Sequence, residues 1–189
     1  WQVQRDDSDW DSPLTDLGQR QAKLLATWLS THARLDNGSR LEIGCVRSSP
    51  LRRAQETAVP LQQTLECPLH TDAFLREADF LVSDHLPFSE SPYQAMPIYE
   101  ASNVYAAFKQ QAQAALYGLV EDAEKSGQPV LGIAHGGLIS TVLRLATGSD
   151  AVSFWLYNTS LNLIEWKRGR WHLVHLNLWD HLPPAWRTF

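Results

Sequence analysis

The sequence has few cysteines, no long apolar run and no excess of basic side chains. Its two cysteines, Cys45 and Cys67, lack CxxC spacing, which argues against a disulfide framework and favours a reducing, cytoplasmic compartment. No run of about 18 apolar residues occurs, so a membrane-spanning helix is not expected. The chain carries 16 basic and 21 acidic side chains, a net charge of −5, and therefore non-specific nucleic-acid binding is not expected either.

The 189 residues, 44% of them apolar, are enough to form one globular domain with a substantial core. Periodicity predicts helices from Thr15, from about Leu51, and over residues 101–126 and 138–146. Short apolar runs predict strands over residues 41–46, 129–134, 161–166 and 171–176, the last two as a hairpin. This alternation indicates an α/β fold with a mostly parallel sheet.

Local signals predict where several of these elements begin and end. Thr15 is a candidate N-cap of the first helix, which we expect to end at Asp36-Asn37-Gly38. Pro60 removes a backbone donor and should kink or stop the second helix early. Residues 79–100 hold three prolines and show no sustained period, so we interpret them as an insertion or lid with little regular structure.

Two segments share one architecture, in which a strand ends, a turn of small residues follows and a helix begins. One segment brings Arg53 to its helix start, and the other brings His135 followed by Gly136 and Gly137. In an open α/β sheet, ligands bind at the carboxyl ends of the strands, and helix N-termini there suit anions. A guanidinium, an imidazole and glycines that allow close backbone approach therefore predict a pocket for a phosphoryl group.

Several motifs in one order resemble the histidine phosphatase superfamily, which includes cofactor-dependent phosphoglycerate mutases. Residues 49–58 (SPLRRAQETA) resemble its second-arginine motif, and residues 134–137 (AHGG) resemble its second-histidine motif. Residues 14–22 (LTDLGQRQA) are similar to a helix start of the family, and residues 75–77 (LRE) to the segment that supplies its acid. The resemblance implies a three-layer, phosphoglycerate mutase-like sandwich with helices on both faces of the sheet.

The resemblance also implies roles for individual residues. Arg53, His135 and Gly136 would bind the phosphoryl oxygens, and Glu77 would protonate the leaving oxygen and later activate water. Asp79 stays open as an alternative to Glu77, because the residues after Glu77 depart from the family's pattern. The nucleophile of the family is a histidine in an Arg-His-Gly triplet, and this triplet occurs nowhere in the sequence.

We expect the missing triplet, with a leading strand, in a segment upstream of Trp1. In mutase-like members a Trp-Asn pair follows the triplet, and Trp1-Gln2 resembles that pair. The family's leading strand is central and buried on both faces, so a chain without it should have an open core. The alternative is a catalytically inactive pseudophosphatase that binds phosphorylated ligands or a protein partner.

The expected activity is hydrolysis of a small phosphorylated metabolite through a phosphohistidine, with phosphomutase activity as an alternative. The resemblance implies no cofactor and no metal ion. No nucleic acid or membrane partner is expected. A homodimer is one alternative for the oligomeric state, since the predicted hairpin carries Trp166 and Trp171 and could form an exposed edge.

Overall fold

A computed structural model describes residues 11–33 and 41–189 of the chain. The helices and strands, in chain order, are α1 (Asp16–His32), β1 (Cys45–Ser48), α2 (Arg52–Leu65), β2 (Leu69–Thr71), α3 (Asn103–Ser126), β3 (Val130–Ile133), α4 (Gly136–Thr147), β4 (Leu161–Lys167) and β5 (Arg170–Leu178). The predicted helix end at residues 36–38 and the Trp1-Gln2 pair lie outside the described residues.

The central sheet is parallel, with the strand order β2-β1-β3. In β1, Val46 is paired with Leu69 on one side and with Leu131 on the other. Parallel pairing brings the carboxyl ends of β1 and β3 to the same edge of the sheet. Within the described ranges, β3 has a strand neighbour on the β1 side only.

Helices cover both faces of this sheet, and each face has its own core. On one face, α1 and α2 pack on β1 and β3 through a cluster that includes Leu25, Val46, Leu61 and Ile133. The other core, formed with α3 and α4, comprises Leu75, Ala78, Tyr105, Phe108, Ala112, Ala115 and Leu138. The fold is therefore α/β with three layers, and the predicted fold class is confirmed.

β4 and β5 form the predicted antiparallel hairpin as a separate two-stranded sheet. The chain after the hairpin returns to α1, where the Nε2 of Gln21 donates to the carbonyl of Trp186 at 2.6 Å and to the hydroxyl of Thr188 at 3.1 Å. These bonds explain why a polar residue, 3% exposed, lies on the apolar face of α1. These bonds attach the C-terminal segment to the helical layer formed by α1 and α2.

The N-cap of α1 agrees with its sequence signal, whereas the course of α2 at Pro60 does not. The hydroxyl of Thr15 accepts from the N–H of Gly18, which confirms the predicted N-cap. α2 runs through Pro60 to Leu65, so the helix does not stop there, and the other half of the prediction, a kink at Pro60, stays a prediction. Proline inside a helix costs about 3 kcal/mol, but Ala58 and Leu61 on either side of it are fully buried, and their packing continues the helix.

Several other boundaries differ from prediction by two or more residues, among them the start of α3, which lies at Asn103 rather than at residue 101. β1 begins at Cys45 rather than at residue 41, because the N–H of Leu41 donates to the carbonyl of Ala33 instead of joining the sheet. α4 begins at Gly136, two residues before the predicted start. Residues 79–100 contain one short 3-10 turn, Val82–His85, and otherwise neither helix nor strand. Within the described residues, no helix is long and apolar enough to cross a membrane.

Candidate active site

The site lies where β1 and β3 end side by side and the chain enters α2 and α4. Ser48 and Ile133 are register partners at these ends, and the N–H of Ser49 donates to the carbonyl of Ile133 at 2.9 Å. Ser49 and His135 are thus adjacent in space although 86 residues apart in the chain. Arg53 follows in the first turn of α2.

Arg53 and His135, the two residues whose side chains are predicted to bind a phosphoryl group, line one cavity. Burial lowers the pKa of the Arg53 guanidinium, while the negative charges of Glu77 and Asp11 oppose that shift. The charge of Arg53 is in turn felt by His135, where it helps to lower the pKa of the imidazole. The guanidinium therefore lies close enough to the imidazole for its charge to lower the imidazole's pKa.

His135 is 8% exposed, and its Nε2 lies 2.8 Å from the hydroxyl oxygen of Ser49. Burial, followed by the positive charge of Arg53, lowers its pKa from 6.5 to about 3. At neutral pH the imidazole is therefore uncharged. A neutral ring carries one N–H, so it can act as a hydrogen-bond donor to an anion without adding a positive charge.

Glu77 reaches the same cavity from the segment between β2 and α3. Its carboxylate accepts from the N–H groups of Gly137 at 2.9 Å and Leu138 at 3.0 Å, both in the first turn of α4, and from Ala78 at 3.1 Å. Burial raises the pKa of the carboxyl, and the three N–H donors and the charge of Arg53 only partly oppose it. A carboxyl with a raised pKa is suited to donating a proton.

The other predicted candidates are nearby. Asp79, the alternative acid, lines the same cavity but is exposed. Gly136 also lines the cavity, and a side chain added there would meet nothing within 4 Å. All four predicted site residues, Arg53, Glu77, His135 and Gly136, therefore lie along one cavity; the role of each in catalysis or phosphate binding stays a prediction.

The cavity is large, about 2430 Å³, because it extends beyond these side chains. It continues past Leu131 of β3 to Leu161 and Leu163 of β4, on the side of β3 that has no strand neighbour among the described residues. In residues 11–33 and 41–189, no group of three or more His, Cys, Asp or Glu side chains could hold a metal ion.

Sequence reasoning missed two participants in this arrangement. Ser49 is the first residue of the segment that resembles the second-arginine motif, and the sequence predicts no role for it. In the structure it is fully buried and contacts His135. Gly137 was expected to allow close approach of a ligand, and in the structure its N–H bonds Glu77. Neither contact has a local sequence signal, since each joins segments 60 or more residues apart.

The family model of the histidine phosphatase superfamily (branch 1) matches residues 1–178. The chain belongs to this superfamily. A putative phosphoserine phosphatase 2 of Hydrogenobacter thermophilus is 27% identical over 190 residues, covering 90% of this chain and 86% of the relative. Membership of the superfamily and this similarity support phosphoester hydrolysis.

Solved structures of other histidine phosphatase-fold proteins share the architecture. Bacillus stearothermophilus YhfR superposes with a TM-score of 0.68 at 22% identity, over 91% of this chain and 88% of that one. The phosphoserine phosphatase of Entamoeba histolytica, in complex with 3-phosphoglyceric acid, has a TM-score of 0.68 at 19% identity, over 92% and 88% of the two chains. At these identities the likeness shows the fold.

Proposed function

We propose that this histidine phosphatase hydrolyses a small phosphorylated metabolite through a phosphohistidine intermediate. The observation that carries the proposal is the convergence of Arg53, Glu77 and His135 on one cavity at the carboxyl ends of two parallel strands. Phosphoryl transfer depends on positioning and charge neutralisation, and these three groups supply a cation, a proton and a neutral donor.

Arg53 and His135 bind the phosphoryl oxygens in this proposal, and Gly136 lets them approach the backbone. The Ser49 hydroxyl accepts from the N–H of Leu51 at 3.3 Å, which leaves its own proton free to donate to Nε2 of His135. The single proton of the neutral imidazole then lies on Nδ1, where it can donate to a phosphoryl oxygen. Arg53 provides the positive charge that the neutral histidine does not.

Glu77 is the proposed general acid and base. In the first step a histidine nitrogen attacks phosphorus, the bond from phosphorus to the ester oxygen breaks, and Glu77 gives its proton to that oxygen. In the second step the Glu77 carboxylate accepts a proton from water as the water oxygen attacks phosphorus and the nitrogen–phosphorus bond breaks. The partly buried position of Glu77 and its contacts with α4 favour it over the exposed Asp79.

We further propose that the attacking histidine comes from a segment upstream of Trp1, within a strand that pairs with β3. Among residues 11–33 and 41–189, β3 has a strand neighbour on its β1 side only, and the cavity extends from Leu131 to Leu161. These observations support this placement, because a strand there, parallel to β3, would end beside His135. A pseudophosphatase, the alternative from the sequence, would lack this histidine.

The experiment uses the full-length gene product and p-nitrophenyl phosphate, without added metal and with a chelator present. We expect hydrolysis, and acid-labile radioactive phosphate on a histidine after rapid quenching with labelled substrate. Protein that hydrolyses no phosphoester but still binds inorganic phosphate would contradict the proposal and favour the pseudophosphatase. Activity that requires a divalent cation would contradict the mechanism.

A further inference from the structure

The contact between Glu77 and the first turn of α4 leaves no room for a side chain at position 137. A Cβ built on Gly137 would lie 2.6 Å from Oε1 of Glu77, 3.1 Å from its carboxyl carbon and 3.3 Å from Oε2. Contacts under 3.0 Å force a displacement, and here the displaced group would be the carboxylate itself. Gly137 has a helical backbone, so its lack of a Cβ is required by this contact and not by an unusual φ.

The neighbouring glycine provides the contrast. Gly136 begins the same helix, but its Cβ would meet nothing within 4 Å. The steric requirement for glycine is therefore specific to position 137. The same residue also donates the N–H that bonds Oε2 of Glu77 at 2.9 Å, so it both makes room for the carboxylate and binds it.

The carboxylate is held at two points by α4. Oε2 accepts from Gly137, while Oε1 accepts from Leu138 at 3.0 Å. Two N–H donors in successive residues, one on each oxygen, fix the plane of the carboxyl as well as its position. The helix N-terminus also carries partial positive charge, which attracts the carboxylate.

We infer that Gly137 is a positioning residue that holds the Glu77 carboxyl in the orientation from which it protonates the leaving group. This inference rests on the proposed function, in which Glu77 is the acid. It predicts that a methyl group at position 137 reproduces the loss of the acid without weakening the binding of the phosphoryl group by Arg53 and His135.

The test compares Gly137→Ala with the wild type on two substrates, phosphoserine and p-nitrophenyl phosphate, in the full-length protein. An alkoxide leaving group needs a proton, whereas p-nitrophenolate is stable without one, so loss of a general acid slows only the first reaction strongly. We expect kcat/KM for phosphoserine to fall at least tenfold more than kcat/KM for p-nitrophenyl phosphate. Inhibition by inorganic phosphate should change less than threefold.

Two further variants separate positioning from a general structural effect. Gly136→Ala changes the same helix start without meeting Glu77, and whatever it does to activity, it should affect both substrates by the same factor. In a Glu77→Ala background the acid is already absent, so adding Gly137→Ala should change phosphoserine hydrolysis less than twofold. Equal losses on both substrates for Gly137→Ala, or fully additive losses in the double variant, would overturn the inference.

Thermal unfolding provides a readout that does not depend on activity. Gly137→Ala should lower Tm, and Glu77→Ala, which removes the atoms that the methyl would meet, should restore most of that loss in the double variant. If Gly137→Ala alone does not fold, the double variant must still melt cooperatively, and an unfolded double variant would overturn the inference. A wild type inactive on both substrates would instead refute the proposed function, while the Tm comparison would still decide the contact.

Discussion

The N-termini of α2 and α4 have a similar local structure but lie in different environments. Each helix follows a parallel strand, and at neither start does the N-cap residue, Leu51 or His135, provide a side-chain cap. A carboxylate from another segment takes this role in both: Asp11 accepts from the N–H of Arg52 at 2.5 Å, and Glu77 accepts from the first turn of α4. Asp11 is exposed, whereas burial raises the pKa of Glu77.

The difference shows how one structural device can serve stability in one place and chemistry in another. A carboxylate at an exposed helix N-terminus stabilises the helix by satisfying a free N–H and by interacting with the helix dipole. A carboxyl that is also buried holds its proton more readily, and it can then give that proton to a bound ester. The basic side chains follow the same division, because Arg52 is exposed and Arg53 lines the cavity.

The largest expected effect separates the two arginines at the start of α2. Arg53→Ala should lower kcat/KM for p-nitrophenyl phosphate by about 10³-fold, since removing one preorganised donor for developing charge costs on the order of 10²–10³ in rate. Arg52→Ala is the matched control, because that side chain is 60% exposed and pairs with Glu56. Steady-state kinetics measure both variants, and equal losses of activity would contradict the different roles of Arg53 and Arg52.

The next effect separates the two carboxylates. Glu77→Gln should reduce phosphoserine hydrolysis by about 10²-fold, because a neutral amide cannot donate and recover the proton. Asp11→Asn should retain activity within about threefold and lose at most about 1 kcal/mol of stability, as expected for a changed helix cap. Kinetics and urea unfolding of both variants test this, and a catalytic loss confined to Asp11→Asn would reverse the assignment.

A smaller effect concerns the pH dependence of stability. Of the two helices compared, α4 has a titratable N-cap residue, His135, whereas α2 has Leu51. The pKa of His135 is lowered in the folded protein to about 3, so its contribution to stability is complete above the unfolded value near 6.5 and is lost as the pH falls. Between pH 7 and 4.5 the free energy of unfolding should fall by about 2 kcal/mol more in the wild type than in His135→Asn. Urea unfolding at both pH values measures this, and equal losses would contradict the depressed pKa.

The smallest expected effect concerns the residue that joins the two helix starts. Ser49 accepts from Leu51 before α2 and contacts His135 before α4. Ser49→Ala should cost about 1 kcal/mol of stability and reduce kcat/KM about tenfold, because the imidazole loses its buried partner. Ser48→Ala is the control, since the Ser48 hydroxyl is equally buried but donates to the carbonyl of Ser49. A larger kinetic effect of Ser48→Ala would contradict this role.

Much of the fold could be predicted because it depends on local signals. Helix α3 has both the expected apolar face and the expected end, where Gly127 adopts a positive φ of 68° that glycine tolerates. The path of α2 through Pro60 could not be predicted, because packing of Ala58 and Leu61 against distant strands decides it. The start of β1 likewise depends on a hydrogen bond between Leu41 and Ala33 that has no sequence signal.

The residues of the candidate site also differ in whether a local sequence signal could predict their placement. The placement of Arg53, His135 and Gly136 along one cavity could be predicted, because each lies in a short motif at a strand end, where the neighbouring residues limit its position. The sequence could not decide between Glu77 and Asp79 as the acid, because both lie in one acidic stretch. The tertiary contact with α4 distinguishes Glu77 from Asp79. The bond between Ser49 and His135 could not be predicted, because it requires the register between β1 and β3.

Binding of inorganic phosphate to the full-length protein, measured by isothermal titration calorimetry, is the most direct test of the central claim that Arg53 and His135 hold one phosphoryl group. Arg53→Ala and His135→Ala should each raise Kd at least tenfold, because a hydrogen bond to a charged group contributes about 1.5–3 kcal/mol. Ser48→Ala should bind like the wild type. Phosphate binding that neither substitution weakens would contradict the account.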